Sequence, residues 1–299
     1  MKRVTRFHPP PKKGLLRLKH TKGFDPMKTS LTLSGECWQA DLAHPIDISI
    51  PLDFFGAQPG AFGIQRAAAQ PYTVGEFVLD TREGGSVNCF NVQLNPHGNG
   101  THTECVGHIL NKRIYINDIL KQPMFPVRLV TVTPRTCASV DDKVHGPSTP
   151  EDLVIDVESL TSVLSKESVP TGGGVVLRTL PNEVGKQSRS YRQKRPAYLT
   201  PASMTYLVLL GVCHLLLDVP SVDRDDDDGA LVAHHLFWEV PQGSHEVVGE
   251  VSTKTITEMV YIPEEVPDGL YLANLQIPSF CLDAAPSRPL LYRMEQVPS

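Results

Sequence analysis

Apolar and polar positions alternate from Ala43 onward in short blocks, and the blocks set the predicted elements. Residues 44–50 alternate as a strand should, with successive side chains facing opposite ways. Residues 75–94 divide at Gly84-Gly85 into two extended runs, 76–81 and 87–94, which predicts a hairpin with Gly-Gly as its turn. A glycine-rich stretch follows, then a short helix over 114–120 and a β-branched strand over 127–133. Pro150 and early acids introduce helical spacing over 151–164. The triplet Gly172-Gly173-Gly174 feeds a strand over 175–179, and no Gly-Lys-Ser/Thr follows to make it a phosphate loop. Residues 183–197 are polar and basic and predict a solvated loop, with a place near an active-site mouth, where a cation would meet an acidic substrate, as the alternative. Thr200-Pro201 caps a helix that Gly211 ends, and 212–217 and 270–277 are further strands. Helices and strands mix without regular βαβ spacing, which argues against a Rossmann or (β/α)8 layout.

Composition narrows the class. With 299 residues the chain can bury a sizeable core, and 40% apolar with 20% charged residues are globular values. A net charge of −5 argues against nucleic acid as a partner. Cysteines 37, 89, 105, 137, 213 and 281 have no C-x-x-C spacing, which reads as reduced thiols of a cytoplasmic protein. No apolar run approaches the roughly 18 residues of a membrane span. Residues 1–28 carry nine Lys or Arg against Asp25 alone. They predict a flexible basic extension over 1–42 ahead of a domain over 43–299, with a targeting or anion-binding arm as the alternative.

The densest candidate chemistry lies in 95–108, where His97, His102, Glu104 and His108 are interleaved with glycines. His102, Glu104 and His108 are separated by even numbers of residues, so an extended chain would aim them to one side. Imidazole with carboxylate suits zinc or manganese. A glycine-rich turn with ordinary polar side chains stays open beside that reading. Asp225 to Asp228 lack the glycine and distal glutamate of a calcium loop and predict a solvated acidic turn.

The same stretch resembles the H-x-G-T-H-x-D-x-P-x-H signature of the cyclase family of metal-dependent hydrolases, which includes kynurenine formamidase. Glu104 replaces the family aspartate, Val106 its proline, and Gly98 its first ligand, with His97 one residue early. On a regular strand that offset faces His97 the wrong way, and a bulge at Gly98-Asn99 would turn it back. Asp218-Val219-Pro220-Ser221-Val222-Asp223, Ala233-His234-His235-Leu236 and Ile256-Thr257-Glu258-Met259-Val260 resemble further family segments. The resemblance spans about residues 43–290, with 238–253 as an insertion.

It implies an α/β fold, a swivelling β/β/α-like single domain with a mixed, barrel-like β core and flanking helices. It implies His97, His102, Glu104, His234 and Glu258 as ligands of a divalent metal, zinc or manganese, with His108 as general acid/base. The implied reaction is arylformamidase-like hydrolysis of an amide, formamide or cyclic amide by metal-activated water. The implied partners are a small-molecule substrate and a second copy of the chain, as a homodimer or higher homo-oligomer. Phe54, Phe55 and Phe62 are substrate contacts by resemblance or core by composition. A catalytically weakened binding member, and a metal-dependent lyase or dehydratase, are the alternatives.

Overall fold

The computed structural model describes residues 27–298 except 145, 193 and 194. An eleven-stranded mixed sheet dominates. Its strands are β1 (Lys28–Leu33), β2 (Glu36–Asp41), β3 (Ile46–Asp47), β4 (His102–Cys105), β5 (Met124–Val132), β6 (Gly174–Thr179), β7 (His214–Leu217), β8 (Thr255–Glu258), β9 (Gly269–Gln276), β10 (Ala284–Pro286) and β11 (Arg288–Gln296). The order is β1-β2-β11-β9-β5-β6-β7-β8-β4-β10, with β3 on β11. Strands β5 to β8 are parallel, and β4 closes antiparallel onto β8. Parallel neighbours need crossovers. These contain helices α2 (Val157–Thr161), α3 (Pro201–Leu210) and α4 (Val232–Trp238), while α1 (Ile116–Ile119) lies beside β4.

Alternation along the parallel strands divides the core. Val175, Leu177, Leu215 and Leu217 pack under Met204, Leu207 and Phe237 of the helices. Val176 and Leu216, on the opposite face, pack with Val127, Tyr271 and Leu275. Burying one such side chain is worth about 1.5–3 kcal/mol, so this two-sided sheet fixes where β4 and β8 can lie. Helix α3 starts and stops as predicted: Thr200 Oγ1 accepts from Ser203 N at 3.1 Å, and Gly211 takes φ 81°.

Several expectations are corrected. Residues 28–41, expected in the flexible extension, form the β1–β2 hairpin and join the sheet through β11. The basic residues up to 26 lie outside the described residues. The predicted hairpin between 76–81 and 87–94 does not form. Ala68–Pro71 pairs with Phe90–Gln93, and Thr73–Val74 turns at Gly75, φ 60°, to pair with Phe77–Val78. Gly84 closes a 3-10 turn capped by Asp80, and a Cβ on Gly85 would lie 2.4 Å from Val78 O. The helix expected over 151–164 begins only at Val157, because Leu153–Ile155 pairs with Arg135–Thr136 and Tyr198–Leu199.

Lys186 is buried rather than solvated, with its ammonium 2.7 Å from Asp218 Oδ2. Asp227 is likewise buried, accepting from the backbone N–H groups of Gly229 and Leu231. Phe55 and Phe62 are exposed, so the three phenylalanines do not form a core cluster.

Candidate metal centre

The site is built on β4, which lies between β8 and β10. Strand alternation turns His102 and Glu104 to one side. Antiparallel register sets Glu258 directly opposite His102, so its carboxylate joins the same face. On the other face Thr103 Oγ1 and Thr257 Oγ1 share a 2.8 Å hydrogen bond that locks the register.

His97 reaches this face by a route the sequence did not suggest. No bulge is needed, because residues 95–99 form a turn. Asn99 N donates to Asn95 O at 3.1 Å, and Asn95 N donates to Asn99 Oδ1 at 2.7 Å. Gly98 packs closely there, and a Cβ would lie 2.6 Å from Ile64 Cδ1 and 3.0 Å from its Cβ, so Ile64 would have to shift. The turn brings His97 Nδ1 to 3.0 Å from Glu104 Oε2, which absorbs the one-residue offset.

His108 does not arrive by strand alternation either. β4 ends at Cys105, and Val106–His108 is a 3-10 turn in which a Cβ on Gly107 would meet Ile114 O at 2.1 Å. The turn stacks His108 on His97, ring centroids 4.3 Å apart, with His108 Nε2 3.9 Å from Glu104 Oε2.

Helix α4 contributes His234. Asp223 accepts from Ala233 N at 2.7 Å and His234 N at 3.0 Å, serving the free N–H groups of the first turn. The same carboxylate accepts from His234 Nδ1 at 2.6 Å, leaving Nε2 3.0 Å from Glu104 Oε1. His235 points elsewhere, toward Val240 O at 3.3 Å. Glu258 is held by Val222 N, which donates to Oε1 at 3.0 Å.

Asp283 belongs to the cluster and sequence reasoning missed it. Its Oδ2 accepts from His97 Nε2 at 2.9 Å and His108 Nδ1 at 3.1 Å. It lies far from both along the chain and precedes β10 in an ordinary Cys-Leu-Asp-Ala setting, so no local signal marks it.

Charge compensation dominates the electrostatics. Burial opposes a charged His97, yet Asp283 and Glu104 hold its pKa up at about 10. Burial likewise opposes charge on His234, and Asp223 with Glu104 raises it well above the usual histidine value. Burial alone would push Glu104 up, but His108, His234 and His97 hold it well below the usual carboxylate range. Hydrogen bonds from His108 and His97 pull Asp283 down as well. The carboxylates thus draw positive charge into a buried place, as a cation site does.

One atom makes the fit specific. His102 Nδ1 donates to Gly100 O at 3.0 Å, so the lone pair resides on Nε2. That Nε2 is buried without a hydrogen-bond partner, 3.3 Å from Glu258 Oε2 in poor hydrogen-bond geometry. Donor atoms of His97, His102 and Glu104 lie within 4.8 Å of one another, as do those of Glu104, His108 and His234, and of His97, His108 and Asp283. Imidazoles and carboxylates backed by Asp223 and Asp283 suit a divalent ion of the zinc or manganese type. The residues present therefore fit a divalent cation.

His102, Glu104, His234 and Glu258 are buried, whereas the side chains of His97, His108 and Asp283 are 20%, 28% and 33% exposed. A small molecule would enter past these three. A cavity of about 790 Å³ runs instead along α3 and α4, where His235 lines it and His234 does not. Among the described residues no helix is long and apolar enough to cross a membrane.

No curated protein sequence matches the chain. Its fold is shared by a "potential metal-dependent hydrolase with cyclase activity" at TM-score 0.54 and 16% identity, covering 84% of this chain and 98% of that one. Isatin hydrolase A from Labrenzia aggregata, bound to benzyl benzoate, matches at TM-score 0.54 and 15% identity over 83% of this chain and 93% of that one. An isatin hydrolase bound to the product analogue thioisatinate matches at TM-score 0.58 and 13% identity over 84% and 93%. At these identities the likeness is one of fold. A family model described as "Putative cyclase" matches residues 40–224, more than half the chain, including the histidine turn, β4 and the 218–223 segment. The chain belongs to the cyclase family.

Proposed function

We propose that this protein is a metal-dependent hydrolase of carbon–nitrogen bonds, acting on an amide, formamide or cyclic amide in the arylformamidase manner. The observation that carries the reading is the buried lone pair of His102 Nε2, aimed into a set of carboxylates and imidazoles. His97, His102, Glu104, His234 and Glu258 would hold the ion, zinc or manganese. When bound, such an ion supplies Lewis acidity, lowering the pKa of a water and polarising a carbonyl.

The chain's own residues do the rest. His108 stands on the exposed side of the cluster with Nδ1 tied to Asp283, which leaves Nε2 to take a proton from water and pass it to the departing nitrogen. Asp223 fixes the rotamer and tautomer of His234, and Asp283 does the same for His97 and His108. The alternative of a weakened binding member rested on the altered first ligand, and it loses force because His97 Nδ1 reaches Glu104.

Metal analysis of the purified protein, followed by a panel of formamides, lactams and esters, tests the reading. Near-stoichiometric zinc or manganese with amide turnover is expected. A protein that binds no divalent metal from solution refutes it.

Cytoplasmic residence is supported by six free cysteines and no disulfide. A homodimer is supported by the ribbon over 68–93, which exposes Tyr72, Val74, Phe77 and Val92. A monomeric mass at micromolar concentration would sink that assignment.

A further inference from the structure

Next to the histidine turn lies a second cavity, of about 490 Å³, whose polar walls include Gln58, Arg66, Asn99, Ser188, Ser190 and Arg192. Among the described residues that line it there is no carboxylate. Arg66 donates to Gly56 O, and Arg192 Nη2 donates to Gly63 O at 2.6 Å. Each guanidinium has five donors in a planar fork, so one backbone carbonyl leaves most of that capacity unused.

The walls are built rather than loose. Gln58 clamps its loop by bonding Ala67 N at 2.9 Å and Ala67 O at 3.1 Å. Gly60 N donates to Arg189 O at 3.1 Å, and Tyr191 N donates to Gly60 O at 2.9 Å, which fastens the two arginine-bearing loops together. The same loop touches the histidine turn: Ala61 N donates to Gly98 O at 3.1 Å, and Asn99 Nδ2 donates to Gln65 O at 2.9 Å. Asn99 lines the cavity and is two residues from His97, so the cavity and that proposed ligand share the 95–99 turn.

We propose that this cavity binds a carboxylate through Arg66 and Arg192, and that the carboxylate is the acid group of the substrate. The second half rests on the hydrolase reading above. Two guanidiniums among hydroxyls and amides suit a planar carboxylate, and the volume lies within the usual range for small-molecule sites. The protein would therefore prefer an amide that carries an acid group over its neutral counterpart.

Two measurements on the metal-loaded full chain test this. In the first, succinate is titrated calorimetrically at constant ionic strength, with dimethyl succinate as the neutral control. The Arg66→Gln/Arg192→Gln double variant should weaken succinate binding at least about tenfold, because charge-assisted bonds are lost. Equal affinity in both proteins, or no binding to the wild type, overturns the cavity assignment, since a carboxylate bound at the metal would not sense these arginines.

In the second, kcat/KM is compared for an N-formyl amino acid and its methyl ester. The preference for the acid should fall at least about tenfold in Arg192→Gln and recover in part in Arg192→Lys. An unchanged preference overturns the substrate half. Should the wild type hydrolyse neither compound, the hydrolase reading fails and the succinate titration alone decides the cavity.

Discussion

Asp283 Oδ2 accepts a hydrogen bond from His108 Nδ1 at 3.1 Å, and the same oxygen receives His97 Nε2 at 2.9 Å. One carboxylate therefore sets the orientation of the proposed acid/base and of the most exposed proposed ligand. Asp283→Ala frees both rings. It should weaken metal affinity about 10- to 100-fold, the usual cost of losing an outer-shell partner. A competition titration against a chelator reads this directly. Unchanged affinity and unchanged turnover would reduce Asp283 to a surface acid.

His108 and His102 should separate cleanly. His108→Ala is expected to keep its metal and lower turnover by about 10²–10⁴-fold, the range for losing a general acid/base. His102→Ala removes the buried lone pair and should lose metal and activity together. Metal content measured beside kcat distinguishes them. Equal metal loss in both variants would make His108 a ligand and refute its assigned role.

Much of this was legible in the sequence, and the misses share a cause. Period-2 alternation and cross-family motifs brought out His102, Glu104, His234 and Glu258, because regular elements carry them and regular elements are local. His97 and His108 ride on turns whose course depends on Ile64 packing against Gly98 and Ile114 O against Gly107. Those contacts are non-local, so the route to each histidine was misjudged although both were named. Asp283 was invisible, because it is β10 pairing with β4 that brings it to the site. Lys186 misled for a related reason: its composition is that of a surface loop, and its buried partner Asp218 lies 32 residues away.

His214 should make the fold acid-sensitive. It stacks on Phe125 with ring centroids 3.8 Å apart, and burial pushes its pKa down to about 4. In the unfolded chain it has the ordinary histidine value of about 6.5. Above 6.5 both states are neutral and the full stability is present. As pH falls from 6.5 toward 4, the unfolded state gains a proton that the folded state refuses, and stability declines. The loss is at most about 3 kcal/mol before solvent screening. Urea unfolding between pH 7 and 4 measures it, and His214→Phe should flatten that slope. An equally steep slope in the variant would assign the acid sensitivity to other groups.

The buried pair Lys186–Asp218 gives the sharpest stability test. Lys186 Nζ lies 2.7 Å from Asp218 Oδ2 and 2.7 Å from Thr179 O, and Asp218 also accepts from Thr179 N at 2.9 Å and Thr179 Oγ1 at 2.8 Å. Burial raises the Asp218 pKa despite these partners, so removing the lysine leaves a buried carboxylate without its compensating charge. Lys186→Ala should cost about 3–5 kcal/mol, the penalty for stranding a buried charge. Replacing both residues with apolar side chains of similar length, as in Lys186→Met/Asp218→Leu, should cost less than the single change, because no charge is left behind. The pair also anchors the segment whose Val222 N holds Glu258 and whose Asp223 holds His234. Lys186→Ala should therefore weaken metal binding as well as folding, while the double variant recovers folding more fully than metal affinity. Denaturant midpoints and a metal titration read the two effects separately. A double variant less stable than Lys186→Ala would mean that the hydrogen bonds to Thr179, rather than charge pairing, hold this part of the fold.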